Sequence, residues 1–272
     1  MIGKLQKLRE LSLLDCSLTD NFFLSLRPSI FNFSTSLTVL DLSYNTLMST
    51  MIFQWVANFT PNLVELHLRD NLIEGSVPNH FGLAMNSLEH LNLLFNRFKV
   101  EVLQFFMNIC TLKSLNMGQN SLNQSLSSIL HNLSNACARN SLQELDLSLS
   151  QIHSSLPDFS MFTTLKRLQL ADNQLSGIPE GVLPSRLESL SLPFNFLEGE
   201  IPKSFGNTCT LRSLDMSYNR LSGEFSLIFQ HLSGCAKNVL QDLKLGRNNI
   251  NGTFPDLSRF SYLKILDLSE NQ

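Results

Sequence analysis

Leu63-Val64-Glu65-Leu66-His67-Leu68-Arg69-Asp70-Asn71 decides the fold of this chain. Leu66 and Leu68 flank the polar His67, the period-two pattern of a strand with one buried face. Leu63 precedes that strand and points to the same side. A single strand cannot bury three leucines, so a second copy has to lie alongside. The sequence supplies it: the spelling L-x-x-L-x-L-x-x-N-x-L, with a few substitutions, recurs from Leu8, Leu37, Leu63, Leu88, Leu112, Leu142, Leu165, Leu187, Leu211, Leu240 and Leu263. Stacked copies would make one continuous leucine column, each side chain contributing roughly 1.5–3 kcal/mol on burial. Met117 and Met216 replace leucine in two copies, a swap that conserves volume.

The asparagine closes each copy for a different reason. Beyond the strand the chain turns inward and leaves backbone donors and acceptors without a sheet partner. A buried carboxamide offers both a carbonyl and an NH2. Asn45, Asn71, Asn96, Asn120, Asn173, Asn195, Asn219, Asn248 and Asn271 are therefore expected to form a ladder from coil to coil. Cys16 and Ser150 depart from it, and weaker satisfaction is expected there. The period and spelling are those of a leucine-rich repeat. The fold expected is an α/β leucine-rich repeat solenoid, a right-handed curved superhelix. Its parallel β-sheet would be concave and its convex side built of turns and short helices. One solenoid over residues 1–272, without linker, end caps, transmembrane span or kinase, is the domain organisation expected.

Coil lengths carry a second pattern. Long steps follow the first, fifth and ninth copies, so a unit of four coils is itself repeated. Residues 137–174 and 235–272 share 18 identities in 38 positions. The extra residues have helical spacing: Leu126, Ile129, Leu130 and Leu133; Phe225, Ile228, Phe229 and Leu232; Ile52, Trp55, Val56 and Phe59. Short amphipathic helices are expected there, packed on the leucines, and tighter turns elsewhere.

Charged residues make up 16% of the chain and the formal net charge is −3. Without a basic stripe, nucleic acid is not an expected partner. Five N-x-[ST] acceptors, Asn32, Asn58, Asn123, Asn132 and Asn251, lie outside the strand cores, where a glycan can be accommodated. Pro61 follows the second of these sequons closely. Cys110 and Cys209 sit two residues before the first leucine of their coils, and Cys137 and Cys235 five residues before that of the next. Neighbouring coils bring such positions together, which suggests Cys110–Cys137 and Cys209–Cys235 disulfides. The alternative is five reduced cysteines. Cys16, in an asparagine slot, is expected to be a buried free thiol. Sequons and paired cysteines together point to the secretory pathway. No stretch approaches the roughly 18 apolar residues of a membrane span. The first coil begins almost at once and the last stops at Asn271-Gln272, so the chain reads as a piece of a longer protein or a truncated gene product.

Several coils continue past the ladder as L-x-G-x-[IVF]-P: Ile73-Glu74-Gly75-Ser76-Val77-Pro78, Leu197-Glu198-Gly199-Glu200-Ile201-Pro202 and Ile250-Asn251-Gly252-Thr253-Phe254-Pro255. This tail resembles the plant-specific class of leucine-rich repeats in cell-surface receptors. With the strings LDLSYN (40–45), SLEHLNL (87–93), IPKSFGN (201–207) and LSGCA (232–236), the chain resembles the ectodomain of plant receptor-like proteins of the ethylene-inducing-xylanase receptor group. The resemblance implies a plasma-membrane glycoprotein of innate immunity, facing the extracellular side and anchored through flanks not in this sequence. It further implies a peptide or protein ligand, such as a microbial elicitor, and signalling through a co-receptor kinase. A secreted form of the same repeat, like the inhibitors of pathogen polygalacturonases, a truncated non-signalling decoy and an intracellular resistance-protein repeat are the other readings. Glycosidase-shifted mobility after secretion separates the last of these from the rest.

Binding is expected on the concave strand face. His67, Arg69 and His90 lie on neighbouring strands and could meet an acidic ligand. Leu94-Phe95 and Pro193-Phe194, the latter beside Tyr218, place aromatics on that face, where interfaces enrich such anchors. The competing reading of these aromatics is packing at the sheet edge. Nothing suggests an enzyme: the histidines are scattered, none pairs with a nucleophile, and no metal-ligand spacing or phosphate-binding glycine loop occurs. No cofactor is expected.

Overall fold

A computed structural model describes residues 7–25, 36–133, 136–181, 183–254 and 256–272. Contacts divide the chain into two compact units, 1–122 with 135–142, and 123–134 with 143–272. In the first, strands Glu10–Ser12, Val39–Asp41, Glu65–His67, His90–Asn92 and Ser114–Asn116 run parallel. Their register aligns Leu11, Leu40, Leu66, Leu91 and Leu115 in one row. In the second, Glu144–Asp146, Arg167–Gln169, Ser189–Ser191, Ser213–Asp215, Asp242–Lys244 and Ile265–Asp267 align Leu145, Leu168, Leu190, Leu214, Leu243 and Leu266 in the same way. Each unit is a stretch of leucine-rich repeat solenoid with its leucines turned inward. Leu63, Leu66 and Leu68, from the stretch that opened the reading, are fully buried.

Each strand is only three residues long because the amide turn follows at once. Asn71 shows how that turn is held. Its Nδ2 donates to the carbonyls of Leu42, Leu68 and Arg69, and its Oδ1 accepts the Leu47 N–H at 3.1 Å. Asn96, Asn195, Asn219 and Asn248 repeat the pattern. The two departures are compensated from the following coil. Asn45 Oδ1 accepts the N–H of Cys16 as well as that of Leu18, and Asn173 Oδ1 accepts those of Ser150 and Ile152. The Ser150 hydroxyl adds a bond to the Ser148 carbonyl at 3.0 Å. The weaker satisfaction expected at these positions is thus offset by the neighbouring amide. Cys16 is a free thiol but is exposed, contrary to the buried position expected of a ladder slot. Among the described residues no coil stacks on its N-terminal side to cover it.

Outside the sheet, helices Met51–Phe59 (α2), Leu126–Leu133 (α5) and Phe225–Leu232 (α6) occupy the three segments with helical spacing. Asp20–Ser25 (α1), Phe81–Ala84 (α3) and Leu103–Phe106 (α4) are helical where tighter turns were expected. Their apolar residues are too few for a period to show in sequence, and tertiary packing settles them. In the first unit this packing is aromatic: Phe53, Phe81, Phe98 and Phe106 are fully buried, with ring centroids 5.0–6.2 Å apart. In the second unit, Gly206 lets the short 3-10 turn Lys203–Asn207 approach α6. A Cβ there would lie 2.0 Å from the His231 carbonyl oxygen. Tail glycines have another role. Gly75 and Gly199 adopt φ of +102° and +82°, a conformation that costs a side chain energy. There the coil leaves the ladder for a short second sheet, as where Glu198–Gly199 pairs with Arg220–Leu221.

Cys110–Cys137 and Cys209–Cys235 are both disulfides, with Cα atoms 5.0 and 4.9 Å apart. Each tethers a 3-10 turn, Cys137–Asn140 or Cys235–Asn238, to the preceding coil. With a sequence separation of 26 in the second pair, chain entropy assigns the crosslink about 3.5 kcal/mol. The Cys209→Ser/Cys235→Ser chain is therefore expected to unfold at a lower urea midpoint. Equal midpoints would show that the crosslink adds nothing.

Coils also cap one another. Glu180 accepts the N–H groups of Lys203 and Ser204 at 2.9 and 3.0 Å, at the start of the 3-10 turn. The Ser204 hydroxyl and then these N–H groups hold its carboxyl below the usual carboxylate range. A depressed folded pKa gives stability that is present above the unfolded value and lost as pH falls through the folded one. Glu180→Gln, which keeps one acceptor oxygen, is thus expected to be slightly less stable at neutral pH, by roughly a few tenths of a kcal/mol, because solvent screens this exposed carboxylate. That difference should close below about pH 4, the range where free carboxylates protonate. A gap unchanged between pH 7 and pH 3 in thermal unfolding would refute the capping role.

Candidate functional site

The residue just before the ladder position is the least ordinary in each coil. Tyr44, Asp70, Phe95, Gln119, Leu149, Asp172, Phe194, Tyr218, Arg247 and Glu270 all have φ between +52° and +60°. For non-glycine residues this left-handed conformation costs roughly 1–2 kcal/mol each. For eight of these ten the N–H is fixed to a carbonyl of the next coil, among them Tyr44 to the Arg69 carbonyl, Phe95 to Gly118, Phe194 to Ser217 and Tyr218 to Gly246. The reversal swings the side chain out of the pleat. Phe95 is 45% exposed and Phe194 51%, although each is adjacent to a buried asparagine. Positive φ at bulky residues is not legible in a sequence.

In the second unit this row forms a braced column. Phe194 and Tyr218 stack with centroids 4.0 Å apart and planes 24° from parallel. The Arg247 guanidinium lies 4.7 Å from the Tyr218 centroid and is itself paired to Glu270 at 2.6 Å. That carboxylate raises the Arg247 pKa above its ordinary value. Pro193 is half-buried beside Phe194. In the first unit, Arg69 lies 5.4 Å from the Tyr44 ring centroid, and the half-buried Leu94 precedes the exposed Phe95.

The histidine group differs from its sequence reading. His67 Nε2 lies 3.3 Å from Glu65 Oε2, and His90 stands opposite Glu65 in the strand register. A carboxylate of the protein already faces these rings, so an acidic ligand would meet repulsion as well as attraction. Most acidic and amide residues of the central strand row are also committed. Asp41, Asn92, Asn116, Asp146, Asp215 and Asp267 each accept the backbone N–H two residues on, at 2.9–3.1 Å. They are local turn caps, not free ligand groups. The recurring D-L-S of Asp41-Leu42-Ser43 and Asp146-Leu147-Ser148 was the available signal.

Of the sequons, Asn58, Asn123 and Asn251 are exposed, Asn58 on α2. Asn132 falls in α5 with its side chain outside the description, and Asn32 lies outside the described residues. Among the described residues, no three His, Cys, Asp or Glu side chains come together as a metal site requires. No described helix is long and apolar enough to cross a membrane.

The leucine-rich repeat pattern matches residues 33–49, 62–83, 186–208 and 210–232. The chain belongs to the leucine-rich repeat family. Within that family it is similar to plant receptor-like proteins. It is 33% identical over 179 residues to receptor-like protein EIX2 of Solanum lycopersicum, covering 65% of this chain and 17% of that one. Receptor-like protein 35 of Arabidopsis thaliana is 31% identical over 275 residues, covering 98% and 24%. This leucine-rich repeat chain therefore spans about a quarter or less of the length of these relatives. Among solved structures it is similar to the ectodomain of the Arabidopsis receptor kinase HAESA in complex with an IDA peptide hormone. That likeness has a TM-score of 0.73 at 29% identity and covers 100% of this chain and 43% of the other.

Proposed function

We propose that this chain is the ligand-sensing segment of a plant cell-surface immune receptor-like protein. Its exposed left-handed row and strand face bind a peptide or protein on the extracellular side. A co-receptor kinase, the partner implied by the resemblance to receptor-like proteins, carries the signal. Membrane attachment falls to parts of the receptor outside this sequence. The observation that carries the reading is the set of aromatics held out of the pleat in both units, Tyr44 and Phe95 in one, Phe194 and Tyr218 in the other. A rigid exposed ring loses little entropy on binding and supplies a large contact area, which is why aromatics dominate interface energetics. The likeness to the HAESA ectodomain with its peptide hormone supports the ligand class.

Peptides selected from a random displayed library on the immobilised chain test this reading. Their affinity is expected to fall at least ~10-fold on Phe95→Ser or Tyr218→Ser, a loss of about 1.4 kcal/mol or more. Selected peptides that bind both variants as tightly as the parent chain would place recognition elsewhere and defeat the reading.

A further inference from the structure

We propose that a pocket between the sixth and seventh coils, together with the open face of Phe194, binds one pyranose unit of a neutral oligosaccharide. This goes beyond peptide binding and does not rest on it.

The pocket, about 250 Å³, is lined by Leu149, Gln151, Asp172, Asn173 and Gln174. That volume is below the ~300–1,000 Å³ of sites for drug-sized ligands and suits a single ring. It opens beside Ser150, where the amide ladder departs from its rule. Asn173 is committed to the ladder and serves only as wall. Gln151, Asp172 and Gln174 are exposed, and no hydrogen bond engages their side chains among the described residues. Two carboxamides and a carboxylate each present two heteroatoms in a plane, a geometry that can meet neighbouring hydroxyls of a sugar.

Phe194 adds the apolar surface. Hydrogen bonds from Asp172 N–H to the Pro193 carbonyl and from Asn173 N–H to the Phe194 carbonyl place it one coil from the pocket. Tyr218 covers one face of the ring. On the other side the next residue of the row is Asp172, whose short side chain leaves the ring 51% exposed. Arg247 and Glu270 brace the column from behind, so the ring is fixed before a ligand arrives, which lowers the entropic cost of binding. A pyranose has the matching asymmetry: a C–H face for the negative face of the ring and a rim of hydroxyls for the planar polar groups. No Lys or Arg lines the pocket and Asp172 is its single charge, which disfavours an acidic sugar.

Calorimetric titration of the 272-residue chain with cellohexaose, mannohexaose and maltohexaose tests the site, with an oligogalacturonide as the acidic comparison. At least one neutral sugar is expected to bind with Kd of about 0.1–1 mM, weak as befits one ring. Asp172→Ala is expected to weaken that binding about 10-fold or more. Phe194→Leu, which keeps apolar bulk but loses the ring face, should do the same, while Leu83→Ala, at an exposed position of the other unit, leaves it unchanged. No binding by any neutral sugar up to about 10 mM, tighter binding of the acidic sugar, or unchanged affinity in both pocket variants would each overturn the proposal. Because the peptide selection uses different ligands and reads Phe95 as well, either result can fail alone.

Discussion

Asn195→Ala is expected to destabilise the 123–134/143–272 unit by about 1–3 kcal/mol, the cost of leaving one buried backbone N–H without a partner. Asn195 Oδ1 accepts the Leu175 N–H at 3.0 Å, and Nδ2 donates to the carbonyls of Leu170, Leu192 and Pro193 at 3.0–3.2 Å. The Leu175 N–H depends on this side chain alone, whereas the three carbonyls keep a second donor, from Asn173 Nδ2, Asn219 Nδ2 and the Asp172 N–H, and the residue is nearly fully buried. Water cannot replace these bonds without opening the turn between coils. Asn195→Asp is expected to be damaging too, since a carboxylate keeps the acceptor but loses both donors. Because repeat proteins derive stability from interfaces between neighbours, the loss should spread to the seventh and ninth coils. Urea unfolding followed by circular dichroism reads it directly. A change below ~1 kcal/mol, the net worth of one ordinary hydrogen bond, would mean the amide is ornamental and the leucines alone hold the coils.

Phe53→Ala is expected to cost the other unit about 3–5 kcal/mol, the range for deleting a buried aromatic ring. Phe53 contacts Phe81, Phe98 and Phe106 at centroid distances of 5.0, 6.0 and 5.4 Å, and all four are fully buried. The cavity cannot readily collapse, because its neighbours are rigid rings on the two following coils. Gly82, in α3, is pressed against α4: a Cβ there would lie 2.6 Å from the Phe105 carbonyl oxygen. The helix side of this unit therefore has little freedom to close a void. Phe53→Leu, which keeps most of the apolar volume, should recover a large part of the loss. If Phe53→Ala and Phe53→Leu unfold at the same urea concentration, ring packing is not what stabilises these coils.

The period-two leucines and the asparagine five residues beyond the strand centre are local signals, so Leu66, Leu68 and Asn71 could be placed from the spelling alone. The segments Leu126–Leu133 and Phe225–Leu232 were legible because eight residues are enough to show a helical period. The four-residue helices Phe81–Ala84 and Leu103–Phe106 were not. At the candidate site, Phe95, Phe194 and Tyr218 could be named from sequence, but the reason for their exposure could not. Nothing in the letters Pro193-Phe194-Asn195 states that φ at Phe194 is +55°. The charge reading of His67 and His90 missed Glu65, which lies two residues before His67 on the same face of one strand and which the register sets opposite His90.

The sequence by itself determined the repeat, the inward leucines and the amide ladder, because each follows from spacing along one coil or a fixed offset to the next; it suggested the cysteine pairs, which the structure then formed. Tertiary structure alone decided which polar groups remain free. Asp41 and Asp215 are consumed by their own turns, Glu65 meets a histidine, and Gln151, Asp172 and Gln174 are left open around a pocket. The physical reason is that a side chain's availability depends on every neighbour within reach. In a solenoid those neighbours come from coils 20–30 residues away, so they become adjacent only when the coils stack.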